Sequence, residues 1–354
     1  MRRSARPPSL RTRTDGPGAE RQRIAFVELW RIGDAVAATA GLAALAEARR
    51  DADIAIVAHP ENGDPLFRLL PDAVHIRLAA FWTRGKLPRD KYLPWTIDYR
   101  SLGKAWRDLR RFAPDVCLLF RGDVREQLLC ASLGRVEIVD FQKAPRLPWV
   151  RTVPAIRGVP RFREYVELIR VWSGSAARAT PSLAGVTASG ERDGSYVLIH
   201  PGASWRFKQW SAAKVAAVIR ALAARGIAVK LVGGEVDREV IGRICGQIDG
   251  PVDVVFPSLS ELYGLVAAAQ LVICNNSAAL HIAEALNTPC IAITGPNDPV
   301  RWGTYRPHSR TIERSVGLPC HPCAEKRCVR PDHPCIEEIQ VEDVLAAVRP
   351  LAHV

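Results

Sequence analysis

Residues Leu271–Trp302 read LVICNNSAALHIAEALNTPCIAITGPNDPVRW, and their order is strand, turn, helix, strand, loop. LVIC is the short apolar run that fills a parallel strand buried on both faces. Asn275, Asn276 and Ser277 offer turn and helix N-cap chemistry. Ala278 to Leu286 is rich in helix formers, Asn287 offers a stop, and CIAIT is the next buried strand. A helix N-terminus at the carboxyl end of a parallel strand presents free N–H groups and the positive end of a dipole, which suits a phosphate. Ser277 and His281, four residues apart, share the helical face that would meet such a ligand. Gly295 to Pro299 is expected to form a second loop at the same sheet edge. This stretch predicts a nucleotide site.

Outward from it, strand and helix signals alternate along most of the chain. IAFVEL (Ile24–Leu29) is a strand that turns through WRIGDA into an alanine-rich helix from Val36 to about Arg50. DIAIVAH, VHIRLA, DVCLLF and VEIVDF are further strands, with helices predicted near 65–70, 102–111 and 124–133. Phe81–Tyr99 is too irregular to assign. YVLIHPG, IAVKLVGG and VDVVF repeat the scheme, with helices over 211–225, 235–248, 259–269 and 342–351. Such alternation implies βαβ units and parallel sheets. The expected architecture is α/β, with two Rossmann-like domains facing a central cleft. The boundaries read as a disordered basic arm (1–23), a first Rossmann-like domain (24–172), a Ser/Ala/Gly/Thr-rich linker (173–194) and a nucleotide-binding second domain (195–354). Ligands of such sheets bind beyond the carboxyl ends of the strands.

Composition narrows the class. Of 354 residues 48% are hydrophobic, as in a soluble globular chain, and no run reaches the roughly 18 apolar residues needed to span a bilayer. Residues 1–23 are basic but lack the apolar core of a secretion signal, so the expected location is the cytoplasm. The net charge of +12 suits an anionic ligand or membrane surface. No helix-turn-helix, zinc-finger or RNA-binding aromatic signature accompanies it, which argues against nucleic acid. GxGxxG, GxxxxGK[ST] and HExxH are absent, and with them the main support for dinucleotide oxidoreductases, P-loop NTPases and zincins. Among nine cysteines, five lie in apolar runs. The other four, Cys320-x2-Cys323-x4-Cys328-x6-Cys335, have a spacing that admits a structural zinc knuckle, free thiols or a disulfide.

Four loops carry polar residues that packing does not require. In PGASWRFKQW (Pro201–Trp210) small residues, Ser204 among them, let backbone approach a ligand, and Lys208 brings charge suited to a leaving phosphate. Glu235, in the Gly-Gly-Glu turn, reads as a helix-start acid or as a ligand contact. His281 and Gly295 belong to the opening stretch. Asp34 reads either as a helix cap or as a cleft carboxylate able to take a proton from a hydroxyl.

Together these loops resemble glycosyltransferase family 9, the lipopolysaccharide heptosyltransferases. RIGDAVAATAGLAAL matches the family's IGD turn, PGASWRFKQW its PGAs…K.WP loop, and NNSAALHIAEALNTPCIAITGPNDPVRW its long late motif. The resemblance implies a GT-B fold and inverting, metal-independent transfer of heptose from ADP-heptose to a lipopolysaccharide core or lipid A acceptor, with no cofactor beyond the nucleotide sugar. It implies peripheral work at the cytoplasmic face of the inner membrane. Carried onto this chain, Asp34 is the general base, Lys208 meets the donor phosphates, Glu235 lies near the nucleoside, and Asn276, Ser277 and His281 surround the diphosphate and sugar. The chain departs from the family where Asn276 and Ala278 replace the usual Asp and Gly, which leaves open another nucleotide sugar on another acceptor, or a retired sugar-nucleotide-binding protein. RGDVREQLL matches the family's acceptor-side pattern in outline, and makes Arg121 and Arg125 candidates for acceptor phosphate or carboxylate groups.

Overall fold

The computed structural model describes residues 21–83, 95, 97–143, 145–184, 195–321, 323, 328–330 and 332–348. Most of the arm, most of the Phe81–Tyr99 insertion, the second half of the linker and the last residues lie outside them.

Two parallel sheets of six strands form the frame. The first holds β1 (Arg23–Glu28), β2 (Asp53–Ala58), β3 (Val74–Arg77), β4 (Val116–Leu119), β5 (Glu137–Phe141) and β6 (Arg151–Val153), in the order β3-β2-β1-β4-β5-β6. The second holds β7 (Tyr196–His200), β8 (Ala228–Val232), β9 (Asp253–Val255), β10 (Leu271–Asn275), β11 (Cys290–Thr294) and β12 (Arg310–Glu313), in the order β12-β11-β10-β7-β8-β9. Helices follow the strands in turn: α1 (Ile32–Ala48), α2 (Asp64–Leu69), α3 (Tyr99–Phe112), α4 (Val124–Ala131), α5 (Arg161–Ser173), α6 (Ala212–Ala223), α7 (Arg238–Cys245), α8 (Leu259–Ala268), α9 (Ala278–Ala285), α10 (Pro299–Trp302), α11 (Pro334–Glu337) and α12 (Val341–Val348). Each sheet has an apolar core on both faces, which is why its central strands read as unbroken hydrophobic runs. Among the described residues no helix is long and apolar enough to cross a membrane.

Reversals of strand order fall between β1 and β4 and between β7 and β10, so the loops after those strands open at the topological switch points. The two switch points face each other. Val36 of α1 is buried in the core of the second half, with Ile32 packed beside it. Gly33 meets the ring of His281 so closely that a Cβ there would sit 2.6 Å from its Cδ2. The described part of the linker is stitched to both halves: the Ser182 N–H donates to Thr39 Oγ1 (3.2 Å) and the Leu183 N–H to the Ala285 carbonyl (3.3 Å).

Several elements depart from the sequence reading. α1 begins at Ile32, four residues early, with Arg31 as a cap that makes no side-chain hydrogen bond. Strands β6 and β12 are short edge strands without a strong apolar run. Helix α5 has no clear signal in the sequence because Arg161 and Glu164 occupy buried positions on its inner face, where periodicity expects apolar residues.

Candidate active site

On the first-half side, the site grows from the turn after β1. Asp34 lies in the first turn of α1 but does not cap it; its Oδ1 lies 2.6 Å from Nη2 of Arg121. The cap reading of Asp34 therefore gives way to a buried ion pair at a cleft. Burial would push this carboxyl up, but Arg121, with help from Arg161 and His281, holds it below the ordinary carboxylate range. Asp34 is an anion at neutral pH. Arg121 itself is placed by the loop after β4: buried Asp140 accepts the Gly122 N–H (2.8 Å) and Nε2 of Gln127 (2.8 Å). The guanidinium also lies 4.8 Å over the Trp30 ring, and the Trp30 indole N–H donates to Glu126 (3.0 Å). Arg125 does not join it. That side chain folds back on Asp123 and lies 5.9 Å over the Trp82 ring.

On the second-half side, the loop after β7 carries Arg206–Lys208 as one 3₁₀ turn. Lys208 Nζ lies 4.5 Å over the Trp205 ring. Burial and the nearby Arg31 push Lys208 down to about 8, against the opposing pull of Asp34 and of Cys323. Lys208 is thus mostly protonated at neutral pH, close to Asp34 across the cleft. Ser204 sits exposed on the same loop.

The N-cap of α9 is Ser277, whose hydroxyl makes no capping bond and lies 3.4 Å from Nδ1 of His200. The first N–H groups of α9 are therefore left to face the cleft. Nε2 of His200 lies 3.9 Å from Asp237. Asp237 in turn accepts the Gly234 N–H (2.9 Å) and packs on Gly202, where a Cβ would sit 2.2 Å from its Oδ1. Asp237, unnoticed in the sequence, ties the Gly-Gly-Glu turn to the Pro-Gly loop. Glu235 points outward and pairs with Arg238 at 2.6 Å.

Asn276 is committed at both ends. Its Nδ2 donates to the Trp302 carbonyl (2.7 Å) and its Oδ1 accepts from Asn297 (2.7 Å). A carboxylate in its place could not donate to Trp302, so here the side chain fixes the 295–302 loop. Gly295 is buried against Ile336. The cysteine segment braces the same loop: the Cys323 N–H donates to the Pro296 carbonyl (2.9 Å), and Nε2 of His321 lies 3.1 Å from the Asn297 carbonyl oxygen. No disulfide joins Cys320, Cys323, Cys328 or Cys335. Burial and the nearby Cys328, Cys320 and Cys323 push Cys335 up to about 11. Among the described residues no three His, Cys, Asp or Glu side chains are gathered to hold a metal ion, so the zinc reading gains no support.

His281 links the two halves, against Gly33 on one side and edge-on to Trp302 at 5.9 Å on the other. Burial and Lys208 press it down, Asp34 pulls the other way, and the net is about 4. Above pH 6.5 the ring is neutral in both folded and unfolded chains and adds no pH dependence. Between pH 6.5 and 4 the unfolded chain takes the proton first, so stability falls as pH drops. Relative to His281→Asn, the wild type is expected to lose about 2 kcal/mol between pH 7 and pH 5. Urea unfolding of both proteins at the two pH values measures it; an equal loss in both would refute this role of His281.

Two facing parallel sheets with their switch-point loops turned to one cleft define a GT-B-like fold. Residues 170–333, a little under half of the chain, match the family model described as Glycosyltransferase family 9 (heptosyltransferase). Over 126 residues it is 40% identical to lipopolysaccharide heptosyltransferase 3 of Escherichia coli, a match that spans 33% of this chain and 35% of that relative's length. The fold is that of a glycosyltransferase family 9 structure from Veillonella parvula (TM-score 0.76, 16% identity, 94% of this chain and 97% of that one). It is also that of the E. coli heptosyltransferase WaaC with ADP (TM-score 0.71, 18% identity, 94% and 100%).

Proposed function

We propose that this protein is an inverting glycosyltransferase that moves a heptose from ADP-heptose to the core region of an anionic glycolipid acceptor. The observation that carries this reading is the meeting of Asp34, Lys208 and His281 across the cleft, beside the uncapped N-terminus of α9. In this reading Asp34 takes the proton of the acceptor hydroxyl as its oxygen bonds to the anomeric carbon. The bond from that carbon to the diphosphate breaks on the opposite face, and the nucleoside diphosphate leaves. Lys208 and the first N–H groups of α9 offset the charge that grows on it. Arg121 stands beside Asp34, so an acceptor phosphate or carboxylate reaching it would be steered to the base. The family relation and the ADP held by WaaC favour an adenine donor. A lipid acceptor and the basic excess favour salt-sensitive, peripheral contact with an anionic membrane.

The test is calorimetry with ADP, UDP, GDP and dTDP, followed by transfer from ADP-heptose to a deacylated lipopolysaccharide-core oligosaccharide. ADP is expected to bind tightest. Preference for another nucleotide would favour a different sugar donor, a reading for which the unusual Asn276 gives a reason. Binding of none would overturn the proposal.

A further inference from the structure

A fully buried glutamate closes β1, a strand whose other residues are the apolar run IAFV after Arg23. Glu28 is 2% exposed, and nothing in the packing of a parallel strand calls for a carboxylate there. Its surroundings are built for it. Tyr165 Oη donates to Oε2 at 2.5 Å, the Trp30 N–H donates to Oε1 at 3.0 Å, and Nε of Arg121 lies 3.9 Å from Oε1. The same Arg121 holds Asp34 at 2.6 Å. Tyr165 is fixed in turn, its ring tilted against Phe120 (4.9 Å) and lying under the Arg161 guanidinium (4.4 Å). Arg161 donates to the Phe120 carbonyl (2.9 Å) and pairs with Glu164, which receives Arg301 from the donor-side loop at 2.8 Å. Three cations and three anions thus alternate from Arg301 to Asp34.

We propose that Glu28 is a positioning residue for Asp34, acting through Arg121. It takes a share of the guanidinium, so that Arg121 aims the Asp34 carboxylate into the cleft without neutralising it as a base. A lone arginine at 2.6 Å would orient Asp34 but make it a poor proton acceptor. A second anion behind the guanidinium returns part of that proton affinity without altering the geometry, although Asp34 stays below the ordinary carboxylate range. The charged groups facing Asp34 are Arg121, Arg161, His281, Lys208 and Glu28 itself; those facing Glu28 are Arg121, Arg161, Asp34 and Glu126, with the Tyr165 phenol. Burial lifts Glu28 above the ordinary carboxylate range, opposed by Arg121 and Tyr165.

The proposal rests on the transfer reading for the identity of the reaction, and its test separates the two. The acid limb of kcat/KM is followed with ADP-heptose and the core oligosaccharide for wild type, Glu28→Gln, Tyr165→Phe and Arg121→Gln. Glu28→Gln is expected to move the limb to lower pH and to lower kcat by at most about tenfold per pKa unit of basicity lost, with the KM for donor little changed. Tyr165→Phe, which keeps every charge, should move it less in the same direction. Arg121→Gln should move it the opposite way. A purely structural role for Glu28 would lower the melting temperature and leave the limb in place. Independently of turnover, carboxyl-carbon NMR of ¹³C-aspartate-labelled protein reads the ionisation of Asp34, with Asp34→Asn as the assignment control. An Asp34 titration unmoved by both Glu28→Gln and Tyr165→Phe overturns the proposal while the transfer reading stands. An Asp34 titration that shifts as expected in a protein without transferase activity upholds the positioning role and sinks the transfer reading.

Discussion

Replacement of Asp34 by asparagine is expected to lower sugar transfer by about 10²–10⁴-fold, the range of general-base contributions, with ADP binding within about twofold of wild type. The substituted amide keeps an acceptor for Arg121, and Glu28 still faces that guanidinium, so no cation is left uncompensated in the interior. What is lost is the ability to hold a proton taken from the acceptor. The effect should therefore fall on kcat more than on the KM for donor, because Asp34 projects from the half opposite the proposed diphosphate site. Transfer kinetics with calorimetry on the same preparation measure it. Wild-type turnover in Asp34→Asn would remove the base from the mechanism. Loss of ADP binding together with transfer would mean that the substitution had disturbed the cleft rather than the chemistry.

The second large effect is expected at Lys208. Removing one preorganised cation at a developing oxyanion costs about 10²–10³-fold, and Lys208→Ala should lower kcat by about that much. ADP affinity should fall as well, since the ground-state diphosphate is already charged. Because burial and Arg31 bring Lys208 down to about 8, wild-type ADP affinity should decline as pH rises through 8, where the ammonium loses its proton. Bound diphosphate favours the charged form, so binding above that pH should draw a proton from buffer. Lys208→Ala should show neither effect. Calorimetry between pH 6.5 and 9.5 in buffers of different ionisation enthalpy reads both, and an equally steep decline in the variant would place the titrating group elsewhere.

Much of this arrangement is written in local sequence. Buried parallel strands announce themselves as apolar runs, and a strand that ends in Asn-Asn-Ser before a helix former run places an anion-binding helix start at a sheet edge. The loops with Asp34, Lys208, Ser277 and His281 stand out because polar and small residues interrupt otherwise apolar elements. Helix α5 and the residues Glu28, Glu126, Arg161 and Glu164 do not, because each breaks the local pattern by burying a charge. A buried charge is tolerable only beside its partner, and the partners lie up to 137 positions away in the chain. The two arginines of RGDVREQLL show the same limit: spacing treats them alike, yet Arg121 reaches Asp34 and Arg125 turns back to Asp123. By itself, then, the sequence determined the central strands of both sheets, the switch-point loops and the residues at their tips, since these follow from local periodicity and turn chemistry. Only the tertiary structure decided that Asp34 is an ion-paired carboxylate rather than a cap, that Asn276 fixes a loop and that Glu28 stands behind Arg121. Those outcomes depend on which charges the folded chain brings within a few ångströms of one another, and no local pattern encodes that.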